Sequence, residues 1–208
     1  GKIPVMINWT VGSRSIKHSL AHLGVKKVIT SKQFLEKIES QGTDLSEIRD
    51  LFLFLEDATA SVSTVTKLSA LIRSRFSLGK LRKARVKDIA VVLFTSGSEA
   101  LPKAVPLTHA NIINNIQGTY RAFNLTQNDR MLGVLPPFHS FGLTVTTLIP
   151  ILGPFKVIYH PNPTEGRLLA RLIGAYHVTI LVGTPTFLEG ITRNAEDHEI
   201  RTLSLVVC

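Results

Sequence analysis

Apolar residues in this chain fall into two patterns: short unbroken runs, and longer stretches in which they recur every three or four positions. The runs are rich in β-branched and aromatic types and read as buried strands, while the spaced stretches read as the inward stripes of helices. Strands are expected at 4–8, 26–30, 51–55, 89–94, 132–135, 155–159 and 178–182. A helix capped by Ser13 or Ser15 should run to about Leu23, and a second should open at Ser31, carry Phe34, Leu35 and Ile38, and stop at Gly42. Val65, Leu68, Leu71, Ile72 and Phe76 mark a third. Thr108 should cap a fourth, over 110–123, with Ile112, Ile113, Ile116 and Tyr120 at helical spacing. Further helices are expected up to about Leu152, over 164–176, and from Pro185 with Thr184 as its cap. In the helix over 164–176, Leu168, Leu169, Leu172 and Ile173 should face inward and Arg167 and Arg171 outward. Strands that alternate with helices imply parallel pairing, so the fold class is α/β with a mostly parallel sheet.

Composition adds limits. At 208 residues, 44% hydrophobic and 19% charged, the chain suits one large domain or a domain with a smaller lobe. The single cysteine, Cys208, rules out an intrachain disulfide and suits a reducing compartment. No stretch reads as a signal peptide, and the longest apolar region, 141–155, is broken by Pro150 and Pro154 and is too short to span a bilayer. The net charge of +9 is uneven: Arg73, Arg75, Lys80, Arg82, Lys83, Arg85 and Lys87 follow one another with no acid between them. Such a cluster suits an acidic carrier protein or an anionic lipid surface, or it is a solvated connector. Nucleic acid is a poor partner for it, because only Phe76 is interleaved with these charges and no nucleic-acid-binding signature is present. His18 and His22 stand four apart on one helix face, but HSLAH lacks a glutamate and a third ligand, so no metal site is expected.

The candidate chemistry lies just after the strand over 89–94. Thr95, Ser96, Gly97 and Ser98 put three hydroxyls around a glycine, and Lys103 follows a stiffening Pro102. Hydroxyls and free backbone N–H groups donate to phosphate oxygens, glycine permits close approach, and lysine adds a compact positive charge. The loop suits a polyphosphate, unless it is merely a Ser/Gly turn. It is no Walker A loop, since Lys103 lies between Pro102 and Ala104. Nor is it a nucleophile elbow, since Ala100 stands where G-x-S-x-G needs glycine.

The order that remains, strand, TSGS, then PK eight residues after Thr95, resembles the phosphate loop of adenylate-forming (AMP-binding) enzymes, the acyl-CoA synthetase and luciferase superfamily. Phe94, Glu99, Ala100 and Ala104 depart from its usual YTSGSTGxPKGV form. TSGSE, together with GKIPVMINWTVG at 1–12 and VITSKQFLEKI at 28–38, is most similar to the acyl-acyl carrier protein synthetase half of bacterial 2-acylglycerophosphoethanolamine acyltransferases. The resemblance covers residues 1–208 in separated blocks. It implies part of the large N-terminal domain: a first segment over 1–78, a basic connector over 79–88, and a phosphate-loop and acyl-pocket segment over 89–208. The rest of that domain and a small mobile C-terminal domain, with the adenine, ribose and catalytic-lysine blocks, would lie beyond Cys208, so the chain alone should not catalyse.

The implied reaction joins a fatty acid to the α-phosphate of ATP, with Mg²⁺, and passes the acyl group to a pantetheine thiol on acyl carrier protein or coenzyme A. Thr95, Ser96, Gly97, Ser98, Glu99 and Lys103 would hold the phosphates, with Lys103 catalytic. Glu99 should face the metal or Lys103, since a bare carboxylate repels polyphosphate. PPFHSFG, at the end of the strand over 132–135, matches the family's P-x-FH-x-x-G block, which places Phe138, His139, Phe141 and Gly142 beside the acyl group. Thr184, in a TPTFL segment, would line the same cleft. Cytoplasm, or the cytoplasmic face of the inner membrane with peripheral contact, is the implied location. Two other classes stay open: a hydrolase using Ser96 or Ser98, and a non-catalytic carrier-protein or membrane docking module.

Overall fold

The computed structural model describes residues 2–40, 42–76, 79, 83, 85–95 and 101–208. The chain divides into two compact units, Gly1–Pro106 and Leu107–Cys208.

In the first unit, α1 (Ser13–His22) and α2 (Lys32–Ser40) flank β1 (Val28–Thr30), which pairs in parallel with β2 (Phe52–Phe54). Ile16 and Leu20 of α1 meet Leu35 and Ile38 of α2, and Leu45 and Ile48 from the segment between α2 and β2, in one core. The caps divide between expectation and surprise. Ser31 Oγ accepts the Phe34 N–H at 3.1 Å, and Gly42 follows α2 at φ +87°. However, α1 starts from Gly12 at φ +83° with no side-chain cap, so neither Ser13 nor Ser15 plays that part. The expected strand at 4–8 is a single parallel bridge, Val5 to Val92, with Met6 N–H and Val92 N–H each donating across. Asn8 ends it by turning its carboxamide onto Thr10, which starts a 3₁₀ turn.

After β2 the chain enters α3 (Leu55–Ser61) directly, then α4 (Thr64–Phe76). The stripe in α4 is helical as expected but it is not buried: Val65, Leu68, Leu71 and Ile72 are all exposed. β3 (Ile89–Phe94) buries Val91, Val92 and Leu93 and pairs with β4 (Ala104–Thr108).

The second unit is a three-layer α/β arrangement. α5 (His109–Ala122) opens on a full capping box, in which Thr108 Oγ1 accepts the Asn111 N–H and Asn111 Oδ1 accepts the Thr108 N–H. Four parallel strands follow: β5 (Arg130–Gly133), β6 (Lys156–Tyr159), β7 (Ile180–Val182) and β8 (Leu205–Val207), in spatial order β6-β5-β7-β8. Their residues alternate between two cores, as a sheet covered on both faces requires. Leu132 and Leu181 pack with Leu169, Ala170 and Ile173 of α7 (Gly166–Tyr176) and Ile191 of α8 (Pro185–Thr192). Met131, Ile180 and Val182 pack on the other face with Ile116 of α5 and Ile149 of α6 (Ile149–Leu152). Asp129 ties β5 to β7 by accepting Thr179 Oγ1–H at 2.8 Å.

Arg167 does not simply face out. Its guanidinium spans both carboxylate oxygens of Glu199, at 2.6 and 3.0 Å, in α9 (Asp197–Ile200), where Glu199 is buried. Of the four leucines and isoleucines expected inside α7, Leu168 is exposed.

Candidate functional site

The first candidate group belongs to the first unit. β3 ends at Phe94, and the chain is fastened across the loop that follows by two bonds between Thr95 and Lys103. Thr95 N–H donates to the Lys103 carbonyl at 3.0 Å, and Lys103 N–H donates to Thr95 Oγ1 at 3.1 Å. This clasp closes the loop at its base and fixes Lys103 at the point where β4 begins. Pro102, without an N–H to satisfy, is buried beside Phe94, Asn8 and Ser19 around a crevice of about 10 Å³. The Lys103 side chain is exposed. Thr95 and Lys103 are therefore brought together, whereas Ser96, Gly97, Ser98 and Glu99 lie outside the described residues.

The second group belongs to the second unit and is set by the course of the chain. β5 sends its connection to β6 on one side, and β7 sends its connection to β8 on the other. Adjacent parallel strands whose connections diverge in this way leave a crevice at their carboxyl ends, the place where open α/β sheets take ligands. PPFHSFG follows β5 and GTPTF follows β7, so Phe138, His139, Phe141, Gly142 and Thr184 all leave the sheet at this switch point.

Locally, the β5 exit is a proline-set turn into a helix. His139 N–H donates to the Pro136 carbonyl at 3.2 Å, and Leu143 N–H donates to the His139 carbonyl at 2.8 Å. Phe138 is buried, and its ring lies 4.7 Å from the half-buried His139 imidazole at a tilt of 54°. Phe141 is exposed, so it does not share the enclosed setting of Phe138. Gly142 has a steric duty: a Cβ there would stand 2.0 Å from the Pro136 carbonyl oxygen. Thr184 occupies the N-cap position of α8, yet its side chain makes no capping bond and is exposed.

Three features of this edge escaped the sequence reading. Gly142–Leu148 is a π-helix, a form often found where function bends a helix. Pro150 has no N–H to offer the Thr146 carbonyl four residues back, and that carbonyl accepts the Tyr159 hydroxyl at 2.7 Å instead. Partial desolvation of its hydroxyl raises the Tyr159 pKa above the usual phenol value, although the residue as a whole is exposed. Room for the ring comes from Gly133, where a Cβ would meet Tyr159 at 2.8 Å. Pro150 and Gly133 were the available signals. The third is His160, at the end of β6, with Nε2 2.8 Å from Glu165 Oε2. Spacing alone gives no reason to join that pair. Among the described residues no three His, Cys, Asp or Glu converge as a metal site, and His18 and His22 merely stack at 5.9 Å.

These elements reproduce a known architecture, an α/β fold with a parallel sheet that matches the N-terminal domain of adenylate-forming enzymes. The o-succinylbenzoate CoA synthetase of Bacillus subtilis, solved with its acyl-adenylate intermediate, superposes with a TM-score of 0.71 at 16% identity over 99% of this chain and 49% of that one. The same synthetase with ATP and magnesium gives 0.71 at 16% identity, over 99% and 39%. The AMP-binding enzyme family model matches residues 1–208, so the chain belongs to that family. In sequence it is 29% identical to the acyl-CoA ligase SID4 of Ajellomyces capsulatus, over 92% of this chain and 34% of that ligase. The chain thus spans about a third of that relative's length.

Proposed function

We propose that this chain supplies the phosphate loop and acyl-binding corner of an ATP-dependent ligase that activates a fatty acid. A carboxylate oxygen of the acid attacks the α-phosphorus of ATP and pyrophosphate leaves. A pantetheine thiol then attacks the acyl carbonyl and AMP leaves. The acceptor is an acyl carrier protein in the reading that TSGSE favours, and coenzyme A in the reading that the name of the fungal relative favours equally.

The observation that carries the proposal is the clasp between Thr95 and Lys103, within a chain that matches the family along its whole length. A loop closed at its neck can hold its N–H groups and hydroxyls in place before the substrate arrives, which costs less ordering when charge builds on the leaving phosphates. In this reading Lys103, with Thr95, Ser96, Gly97, Ser98 and Glu99, grips the ATP tail. Phe138, His139, Phe141, Gly142 and Thr184 border the fatty chain at the switch point. His139 positions rather than ionises the acid, because a carboxylate is already deprotonated at neutral pH. Magnesium arrives with ATP, and the described residues name no protein ligand for it.

ATP–pyrophosphate exchange by the protein that contains this chain tests the reading. Lys103→Ala should lower exchange by about 100-fold or more. Exchange that persists near the parent rate would overturn the role of the loop. Glu99→Thr separates a further point, since full activity at saturating magnesium would remove the metal-linked role of Glu99. Supplying acyl carrier protein or coenzyme A to the preformed adenylate identifies the acceptor.

A further inference from the structure

α4 is unlike the other long helices of the chain, because over 64–75, where its side chains are described, it buries none and only Ser69 is even half-buried. Val65 is 78% exposed, Leu68 58%, Leu71 66% and Ile72 52%. At 100° per residue these four fall within an arc of roughly 120°, a contiguous apolar face rather than scattered surface leucines. Lys67 and Arg73 flank the arc, Arg75 falls inside it one turn past Leu71 at the end of the helix, and Lys83, Arg85 and Lys87 follow, all exposed. From Ala58 to Lys87 the sequence holds no Asp or Glu and eight Lys or Arg residues, of which Lys80 and Arg82 lie outside the described residues. The nearest acids upstream are occupied elsewhere: Glu56 accepts the Lys32 N–H and Asp57 pairs with the Lys32 ammonium.

We propose that α4, with the exposed cations Lys83, Arg85 and Lys87 that follow it, docks the protein on an anionic bilayer surface. Charge complementarity selects lipid phosphates as the partner, and the apolar arc selects a bilayer over a purely charged surface. An acidic carrier protein would satisfy the cations but gives four clustered aliphatic side chains nothing to do. A face with leucine, isoleucine and valine between lysines and arginines matches a helix lying in the headgroup plane. Its thirteen residues are about 20 Å long, which suits lying in that plane and not crossing it. Arg75 can lay its methylenes along the apolar face while its guanidinium reaches a phosphate. The proposal is independent of the ligase reading, since vesicle binding needs no substrate.

The test is co-sedimentation of the protein with phosphatidylcholine vesicles containing about 30% phosphatidylglycerol, against phosphatidylcholine alone. Binding should be at least about tenfold tighter to the anionic vesicles and should weaken as salt rises from about 0.1 to about 0.5 M. The double variant Leu68→Glu, Leu71→Glu should lose at least about tenfold in vesicle affinity while its circular dichroism and melting temperature stay put, because both side chains are already exposed. Arg73→Ala with Arg75→Ala should weaken binding by several-fold and flatten its salt dependence. As a second measurement, Leu71→Trp should shift its fluorescence to the blue on adding anionic vesicles. No binding by the parent protein, binding by the double glutamate variant equal to that of the parent, or a salt-sensitive complex with acyl carrier protein in place of vesicle binding would each overturn the proposal.

Discussion

The two units solve the burial problem differently. The second, Leu107–Cys208, drives alternate residues of a four-stranded sheet into two cores, so that Leu132, Leu169 and Ile173 are fully enclosed. The first, Gly1–Pro106, has two-stranded pairs, a core built mainly from α1 and α2, and a helix whose apolar side faces outward. Sheet covered on both faces gives rigidity at the strand ends, and that is where the proposed acyl corner sits. The proposed phosphate loop relies instead on one strand and one clasp. Rigidity is thus built from packing in one unit and from local hydrogen bonds in the other.

The contrast can be broken most forcefully at the sheet. Leu132→Ala should cost about 2–5 kcal/mol in chemical denaturation, the range for a fully enclosed leucine. Gly142→Ala should cost about 1–3 kcal/mol, since its methyl must displace the Pro136 carbonyl or the π-helix start. The Arg167–Glu199 pair gives the second unit an acid limit. Bonds from Arg167 first, then the backbone N–H of Glu196, hold the Glu199 pKa below the usual carboxylate value. A folded-state pKa below the unfolded one means that this stabilisation is complete above the unfolded value of about 4.3 and is lost as pH falls through the folded one. Melting followed from pH 6 down to about 3 should therefore fall less steeply in Glu199→Gln, already weakened at neutral pH, than in the parent.

Smaller changes sharpen the comparison. Tyr159→Phe should cost about 1 kcal/mol, one hydroxyl bond to the Thr146 carbonyl. Leu68→Ala in α4 should change stability by no more than about 0.5 kcal/mol. Amide exchange completes the series: β5 and β7 should exchange slowest and α4 among the fastest. Protection in α4 equal to that in β7 would erase the contrast.

The alternation of elements was legible because strand runs and helix stripes have different periods, and the Thr108 cap because its side-chain chemistry is local. Departures share a cause: tertiary partners that no local pattern names. Among the described residues the apolar run at 4–8 meets β3 through one bridge where a strand was expected. Gly12, at a positive φ, took the cap role from the serines beside it. Arg167 was assigned outward by periodicity, but Glu199, 32 residues later, draws it in. The α4 stripe is helical as expected and faces outward, since periodicity reports that a face is apolar and not what meets it. The site residues divide likewise. Strand order was needed to show that PPFHSFG and Thr184 share a sheet edge, whereas Ser96, Gly97, Ser98 and Glu99 of the proposed phosphate loop lie outside the described residues.

The divergence of chain paths after β5 and β7 has one more implication. A gap created by wiring belongs to the backbone and survives any choice of side chain along its rim. In the proposed reading, changes at Phe138 or Thr184 would alter the lining of that gap and leave the gap itself in place.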